Sequence, residues 1–316
     1  MKEFQLIRQI QRQTSASCEF ESGVILGIGD DAAVLEVPAG QHLVAATDTL
    51  NAGVHFPEDT PAFDIGYKCL AVNLSDMAAM GAIPRWVLLS LSLPDVDPAW
   101  VKSFTAGFNS LAQAHAVTLV GGDTTSGPLS ISVTALGLIE PGRQLTRSGA
   151  QAGDLIVVSG TLGGAARALE MLQSGQPVTG QHFLDRPVPR VLLGQALLGH
   201  ANACIDISDG LLADLGHILE ASHCGARIHV DKLPQSPNLA GLKEEIRWRY
   251  QLAGGDDYEL LFTLPAEQRA VLDNWSVKLD VDLSIIGEIE AGQGIRCIRT
   301  DGSTYNSQKA GYEHFG

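Results

Sequence analysis

The sequence predicts an α/β protein, of the α+β type, with two domains whose mixed β-sheets are flanked by helices. Its 316 residues, 45% of them hydrophobic, are enough for two separate cores. Short apolar segments of strand length alternate along the chain with longer segments of helical periodicity. Glycine, proline and polar residues interrupt this alternation between residues 140 and 153. We therefore expect an N-terminal domain over 1–140 and a C-terminal domain over 150–316.

Helices of the N-terminal domain are predicted where apolar residues recur every three or four positions. Phe4, Ile7 and Ile10 share one helical face near the start of the chain, which predicts a helix over residues 3–13. A second helix is expected over residues 62–80, which are rich in Ala and Leu. Aromatic residues at the same spacing indicate a third helix: Trp100, Phe104 and Phe108. Predicted strands cover residues 32–37 and 43–47, on either side of a turn at residues 38–40, and residues 87–93, 117–120 and 131–139.

The C-terminal domain shows the same alternation. Strands are predicted over residues 154–159 and 203–207, and helices over residues 163–172, 189–198 and 211–222. Strands and helices continue to alternate up to residue 299. No short tandem repeat is visible, which argues against a solenoid.

Composition narrows the partners and the compartment. A formal charge of −15 argues against a nucleic-acid partner, which calls for a basic face. No apolar segment reaches the roughly 18 residues that a membrane span needs, and the first residues lack the apolar core of a signal peptide. The five cysteines are scattered and form no CxxC pair, which is typical of thiols in a reducing compartment. We expect a cytoplasmic protein with no nucleic-acid or membrane partner.

Aspartates recur in five segments, at strand ends or on helix faces. These are Asp30-Asp31, Thr47-Asp48, Asn73-Leu74-Ser75-Asp76, Gly121-Gly122-Asp123 and Asp206-Ile207-Ser208-Asp209-Gly210. Mg²⁺ takes oxygen ligands and is usually held by one or two carboxylates together with phosphate oxygens. Each segment alone is compatible with a solvated turn or a helix cap. Asp76, however, has apolar neighbours on its helix, where an unpaired carboxylate is costly, and the five segments together predict divalent ions that hold phosphates.

Two other phosphate-binding motifs are rejected. Residues 27–32 fit the dinucleotide fingerprint G-x-G-x-x-A formally, and Asp48 lies near the position of its ribose-binding acid. That fold needs a helix directly after the glycines, whereas residues 33–37 have the pattern of a strand and Pro38 would end a helix. No Gly-Lys-Ser or Gly-Lys-Thr occurs, so the P-loop signature is absent from the sequence.

Eight segments, in order along the chain, resemble those of the thiamine-monophosphate kinases. They are GIGDDAA (27–33), TDTL (47–50), AVNLSDMAAMGA (71–82), GGDTT (121–125), LTRSGA (145–150), IDISDG (205–210), GGDDYEL (254–260) and GYEHF (311–315). Some are shared with a wider superfamily that includes aminoimidazole ribonucleotide synthetase, selenophosphate synthetase and a hydrogenase-maturation protein. The combination of GIGDD, TDT, GGDTT and GGxDYEL is more specific to the kinases.

This resemblance implies an enzyme that converts ATP and thiamine monophosphate to ADP and thiamine diphosphate with several Mg²⁺ ions. It also implies a homodimer whose N-terminal sheets pair into a β-barrel. The implied metal ligands are Asp31, Thr47, Asp48, Asp76, Asp123, Asp206 and Asp209. The implied nucleotide contacts are Gly122, Asp123, Arg147 and Ser208, and the implied substrate contacts are His55, Asp256 and Tyr312. The expected catalytic residues are Asp48, Asp76, Asp123 and Arg147.

Two positions depart from the family pattern. Asp256 stands where a glutamate is usual and is one methylene shorter. Ala46 stands where a hydroxyl residue often precedes Thr47, so a metal contact at this position has only the backbone carbonyl to use.

Two other functions stay open at this point. One is a different ATP-dependent enzyme of the same superfamily, such as a selenophosphate or aminoimidazole ribonucleotide synthetase. A selenophosphate synthetase calls for a reactive cysteine near the N-terminus, and Cys18 lacks an adjacent Gly-Lys. The other is a Mg²⁺-nucleotide sensor that binds without turnover.

Overall fold

The computed structural model describes residues 9–10, 23–309 and 311–312. The chain divides into two compact units, one formed by residues 1–77 and 82–142 and the other by residues 78–81 and 143–316. Each unit contains a β-sheet and helices, so the mixed α/β architecture expected from the sequence is confirmed. The predicted helix over residues 3–13 lies outside the described residues, except for Gln9 and Ile10, which are helical.

The N-terminal unit is built on a four-stranded sheet. Its strands are β3 (His42–Asn51), β4 (Ile83–Leu93), β5 (Thr118–Ser126) and β6 (Ser130–Ile139), in the order β3-β6-β4-β5. The β4–β5 pair is parallel and the other pairs are antiparallel. A separate antiparallel pair is formed by β1 (Val24–Leu26) and β2 (Val34–Leu35). The helices are α1 (Ala62–Ala79) and α2 (Pro98–Ala114).

One sequence prediction for this unit is wrong, and one strand pairing was not foreseen. The predicted strands 32–37 and 43–47 correspond to β2 and to part of β3, but β2 pairs with β1 and β3 pairs with β6. The GGDTT segment does not follow a strand but lies inside β5, where Asp123 is opposite Ser90 of β4. Gly122 has a φ of 149°, and a Cβ there would overlap the backbone of Leu89, so only glycine allows the two strands to pair this closely.

Helices α1 and α2 cross at two glycines. A Cβ on Gly66 would overlap the carbonyl oxygen of Phe104, and a Cβ on Gly107 would overlap that of Phe63. The two backbones are therefore in direct contact at the crossing. Asp97 caps the start of α2 by accepting a hydrogen bond from the Ala99 N–H at 2.8 Å.

Helix α1 packs on the sheet through one buried face. Leu70, Leu74 and Met77 are fully buried, and Met77 Sδ lies against Gly137 of β6. Asn73 of the same helix is also fully buried, which requires hydrogen-bond partners for its amide. Asn73 lies directly under the sheet, where it contacts Asp48 of β3.

The C-terminal unit contains a seven-stranded sheet in the order β13-β12-β9-β11-β7-β10-β8. Its strands are β7 (Leu155–Ser159), β8 (Ala203–Asp206), β9 (Gly225–His229), β10 (Leu260–Leu264), β11 (Leu283–Glu290), β12 (Gly294–Ile298) and β13 (Thr304–Tyr305). Only β9 and β12 pair in parallel among these strands. Its helices are α3 (Gly164–Gln173), α4 (Gln181–Asp185), α5 (Val191–Leu197), α6 (Leu211–Ser222), α7 (Glu244–Ala253) and α8 (Ala270–Leu279).

Helix α6 anchors the main core of this unit. Leu211, Leu215 and Ile218 are fully buried and belong to one cluster with Ile205 and Leu261 of the sheet.

Within the described part of the chain, no helix is long and apolar enough to cross a membrane. The four cysteines in that part are free and buried: Cys69, Cys204, Cys224 and Cys297.

Candidate phosphate and metal site

Two carboxyl groups meet in the N-terminal unit, between β3 and α1. A side-chain hydrogen bond joins Asp48 to Asp76. Burial raises the pKa of Asp48 above its ordinary value, and the bond to Asp76 partly opposes this effect. Two carboxylates within hydrogen-bonding reach of each other repel unless they share a proton or bind a cation. The pair therefore has the chemistry of ligands for a hard divalent ion.

Asn73 holds this pair in place. Its Oδ1 accepts the Asp48 N–H at 3.2 Å, and its Nδ2 donates to the Cys69 carbonyl at 3.0 Å. Asn73 and Asp76, which are three residues apart on α1, both contact β3, as expected for residues that share a helix face. Because both the oxygen and the nitrogen of its buried amide are hydrogen-bonded, Asn73 fixes the distance between Asp48 and helix α1.

Thr47 faces away from Asp48. Successive side chains of a strand point to opposite faces of the sheet, and Thr47 is exposed whereas Asp48 is partly buried. The Thr47 Oγ1 donates to the Val133 carbonyl at 3.1 Å and lies 3.0 Å from Thr134 Oγ1. The two side chains do not share one ion within this unit, so Thr47 remains a predicted ligand only for a separate ion or through its backbone.

His55 has a defined tautomer. Its Nδ1 accepts the Asn51 N–H at 3.0 Å, which leaves the proton of the neutral ring on Nε2. Its carbonyl accepts a hydrogen bond from Lys68 Nζ at 3.0 Å. The predicted substrate contact therefore offers an N–H donor.

Asp31 and Asp123 are exposed, and the structure does not bring Asp123 next to Asp48. The Asp31 N–H donates to Asp30 Oδ1 at 2.9 Å, and Asp123 Oδ1 accepts the Thr124 N–H at 2.8 Å. Strands β3 and β5 are the outer strands of the sheet. Strand β3, which carries Asp48, is three strand spacings, or about 14 Å, from strand β5, which carries Asp123. One ion therefore does not contact both residues within this unit.

Three predicted site segments converge in the C-terminal unit at the turn between β8 and α6. The Ser208 carbonyl accepts the Asp256 N–H at 2.9 Å, and the Asp209 carbonyl accepts the Tyr312 N–H at 3.0 Å. Asp206, at the end of β8, is buried. Residues separated by about 50 and 100 positions in the sequence are thus joined by backbone hydrogen bonds.

Asp214 was not predicted from the sequence, yet it holds this turn. It is 2% exposed, and its Oδ2 accepts the N–H groups of Asp209 (3.2 Å) and Gly210 (3.0 Å). Burial, and then the negative charges of Asp206 and Asp209, raise the pKa of Asp214 to about 7. Asp209, Asp214 and His217 bring potential ligand atoms to within 4.8 Å of one another. The sequence offered one signal for Asp214, because an acidic residue in the first turn of a helix interacts favourably with the N–H groups at the helix start.

Arg147 lies at the other end of α6. Its carbonyl accepts the Ser222 hydroxyl at 3.3 Å, and Ser222 is the last residue of the helix. A helix of 12 residues is about 18 Å long, and Ser208 precedes its first residue. Within this unit, Arg147 is not a neighbour of Ser208, and its role toward the nucleotide stays a prediction.

The loop between α7 and β10 has a strained backbone. Asp256 and Tyr258 have φ values of 67° and 50°, in the left-handed region that costs on the order of 1–3 kcal/mol for residues with a side chain. Between them, Asp257 accepts the Gly163 N–H with both carboxylate oxygens, at 3.0 and 2.9 Å. Burial raises the pKa of Asp257 well above its usual range. Such strain persists only where the surroundings enforce it, often at binding sites.

A largely buried ion pair, between Arg190 and Glu259, fixes the residues that follow this loop. Glu259 Oε2 accepts the Ser159 hydroxyl at 2.5 Å and Arg190 Nε at 2.6 Å, and Arg190 Nη2 donates to Oε1. The Ser159 hydroxyl oxygen also accepts the Leu260 N–H at 2.9 Å. The start of β10 is therefore tied to β7 and to the residue before α5.

Both halves of the chain match one protein family. Residues 29–139 match the family described as AIR synthase related protein, N-terminal domain, and residues 151–299 match AIR synthase related protein, C-terminal domain. The fold, with aspartates grouped at sheet and helix ends, is that of an AIR synthase related protein.

Three relatives define the group within this class. The chain is 46% identical to thiamine-monophosphate kinase of Escherichia coli (strain K12), over 99% of this chain and 98% of the relative. The crystal structure of thiamine-monophosphate kinase from Stenotrophomonas maltophilia K279a aligns with a TM-score of 0.87 at 48% identity, over 96% of this chain and 98% of that one. A structure described as AaThiL complexed with AMPPCP and TMP aligns with a TM-score of 0.77 at 33% identity, over 99% and 97%. The chain belongs to the thiamine-monophosphate kinase family.

Proposed function

We propose that this protein transfers the γ-phosphoryl group of ATP to thiamine monophosphate, which yields ADP and thiamine diphosphate. The observation that carries this proposal is the near-complete match to thiamine-monophosphate kinases, at 46% identity over 99% of the chain. A related protein of the same fold, 33% identical, is complexed with AMPPCP and TMP, which is the pairing of an ATP analogue with the acceptor that such a reaction requires.

Several Mg²⁺ ions are proposed to act with ATP. The fit rests on the Asp48–Asp76 pair, whose partly buried carboxyl groups meet and need a proton or a cation between them. Asp31 and Asp123 in the same unit, and Asp206 and Asp209 in the C-terminal unit, are the other proposed ligands. When bound, Mg²⁺ screens phosphate oxygens and stabilises charge on the transferred group. In a chain of net charge −15, these carboxylates serve as the scaffold for that positive charge.

The residues of the chain are proposed to position the two substrates and to neutralise the charge of their phosphates, and not to remove a proton from the acceptor. The acceptor phosphate has a second pKa of about 6 and is largely ionised near neutrality, so in-line attack needs no strong general base. The obstacle is repulsion, because two unit charges about 4 Å apart repel by roughly 4 kcal/mol at an effective dielectric of 20. Arg147 is proposed to add a fixed positive charge at the nucleotide. His55 is proposed to donate from Nε2 to the acceptor.

A homodimer that pairs two N-terminal sheets into a β-barrel is part of the proposal. Helix α1 packs on one face of this sheet, whereas the other face carries exposed side chains such as Leu43 (48% exposed), Thr47 and Thr49. Ile25 of β1 is 67% exposed. Burial of this surface against a second copy would remove apolar area from water. Light scattering should give a dimer, and Leu43→Glu should shift the protein toward monomer.

The reaction itself is tested with a panel of acceptors. Purified protein with ATP and Mg²⁺ should form ADP and thiamine diphosphate when thiamine monophosphate is added, and much less ADP with thiamine or aminoimidazole nucleotides. A preference for another acceptor would move the protein to a different enzyme of the superfamily. Tight nucleotide binding without acceptor-dependent ADP would identify a sensor instead.

A further inference from the structure

The loop of residues 254–258 is fixed against the turn that carries Ser208. The Asp256 N–H donates to the Ser208 carbonyl at 2.9 Å, and the Tyr258 N–H donates to the Ile207 carbonyl at 2.8 Å. A Cβ on Gly255 would overlap the Ser208 carbonyl oxygen, so the loop lies directly on the turn. These contacts hold Asp256 and Tyr258 in the left-handed conformation.

This backbone gives two neighbouring carboxylates different partners. Asp257 is engaged with the Gly163 N–H just before α3. Asp256 instead meets the side chain of Tyr258, whose hydroxyl donates to Asp256 Oδ1 at 3.2 Å. A hydroxyl that donates to a carboxylate favours one orientation of that carboxylate, because the bond is directional and charge-assisted.

We infer that Tyr258 is a positioning residue for acceptor recognition, and that its hydroxyl holds the Asp256 carboxylate in the orientation that binds the thiamine moiety. The inference rests on the proposed function, in which Asp256 contacts the acceptor. The heterocycles of thiamine carry a positive charge and an amino group, both complementary to a carboxylate. A carboxylate has about four acceptor positions, so Asp256 can bind Tyr258 and the acceptor at once.

Tyr258→Phe tests this by removing only the hydroxyl. The loss of one hydrogen bond of this kind corresponds to about a five-fold change in affinity. We expect KM for thiamine monophosphate to rise about five-fold, while kcat and KM for ATP stay within about two-fold. Tyr250→Phe is the matched control, because that hydroxyl accepts hydrogen bonds from Arg167 (3.1 Å) and Arg249 (3.0 Å) and does not contact Asp256. The control should leave both KM values unchanged.

A double-mutant cycle separates positioning from a general structural effect. In an Asp256→Asn background, Tyr258→Phe should add little to the increase in KM for thiamine monophosphate that Asp256→Asn causes alone. Fully additive effects, or equal changes in KM for both substrates, would overturn the inference. If the unmodified protein does not phosphorylate thiamine monophosphate, the proposed function fails, and calorimetric binding of this compound decides the inference. Weaker binding by Tyr258→Phe would support it, whereas equal binding or no binding by the unmodified protein would refute it.

Discussion

Replacing Asp76 by asparagine should stabilise the protein when divalent ions are absent and remove the stabilisation that they provide. Asp48 and Asp76 are joined by a side-chain hydrogen bond, and burial raises the pKa of Asp48. Asparagine can still bond to Asp48 but carries no charge. Two full charges about 4 Å apart would repel by roughly 4 kcal/mol at an effective dielectric of 20, and a shared proton reduces this value. We expect a gain of about 1–2 kcal/mol.

The pH dependence has a definite sign. Because the pKa of Asp48 in the folded protein lies above 3.8, the folded state binds this proton more tightly than the unfolded state does. The associated stability is present at low pH and is lost as pH rises through the folded pKa. Asp76→Asn leaves Asp48 buried but removes the second charge, so its gain relative to the parent protein should be largest at neutral pH, where the parent pair carries most charge, and least in acid.

The assay is thermal unfolding in EDTA and in saturating Mg²⁺. In EDTA, the melting temperature of Asp76→Asn should rise by roughly 2–8 °C, whereas the increase that Mg²⁺ gives the parent protein should largely disappear. Turnover should fall by about 100-fold or more, since a charge-stabilising group is disrupted. Asp59→Asn, at an exposed turn of the same unit, is the control and should change neither property. A variant that is less stable in EDTA, or that keeps the full response to Mg²⁺, would refute the reasoning.

Two further predictions concern the C-terminal unit. Because the pKa of Asp214 is raised from 3.8 to about 7, the free energy of unfolding should fall as pH rises between these values. In urea titrations, Asp214→Asn should make this pH dependence less steep. An unchanged pH dependence would contradict the prediction. Glu259→Ala should cost about 3 kcal/mol, because it removes the carboxylate that accepts hydrogen bonds from Arg190 and the Ser159 hydroxyl in a largely buried site. Urea unfolding measures this loss, Glu259→Gln should recover part of it, and a loss below about 1 kcal/mol would show that the pair is dispensable.

Local patterns predicted the helices that matter most for the site. Helix α1 was expected over residues 62–80 and spans Ala62–Ala79, because its apolar residues recur regularly and Gly81 follows. Helix α6 has the expected bounds. The contact between Asp48 and Asp76 was within reach of the same reasoning, since a carboxylate among apolar neighbours requires a partner.

What the pattern missed depends on contacts between distant residues. Strand β2 has two residues and pairs with β1. The pattern of residues 32–37 is equally compatible with a hairpin between β2 and β3, so the sequence alone does not reveal the partner of β2. The glycines of GGDTT suggested the end of a strand, but Gly122 instead permits close pairing with β4. Glu259 stood inside a recognised segment, yet its structural role becomes visible only through its contact with Ser159, 100 residues earlier.

The glycine crossing of α1 and α2 makes the candidate metal ligands sensitive to a single methyl group far from them. Gly66 lies seven residues, or nearly two helical turns, before Asn73, and a side chain there would push α1 off the Phe104 carbonyl. A rigid helix would transmit that displacement along its length and lift Asn73 and Asp76 relative to Asp48. The closeness of two helix backbones thus sets the distance between two acidic groups, and a substitution such as Gly66→Ala should be detected first as weaker ion binding.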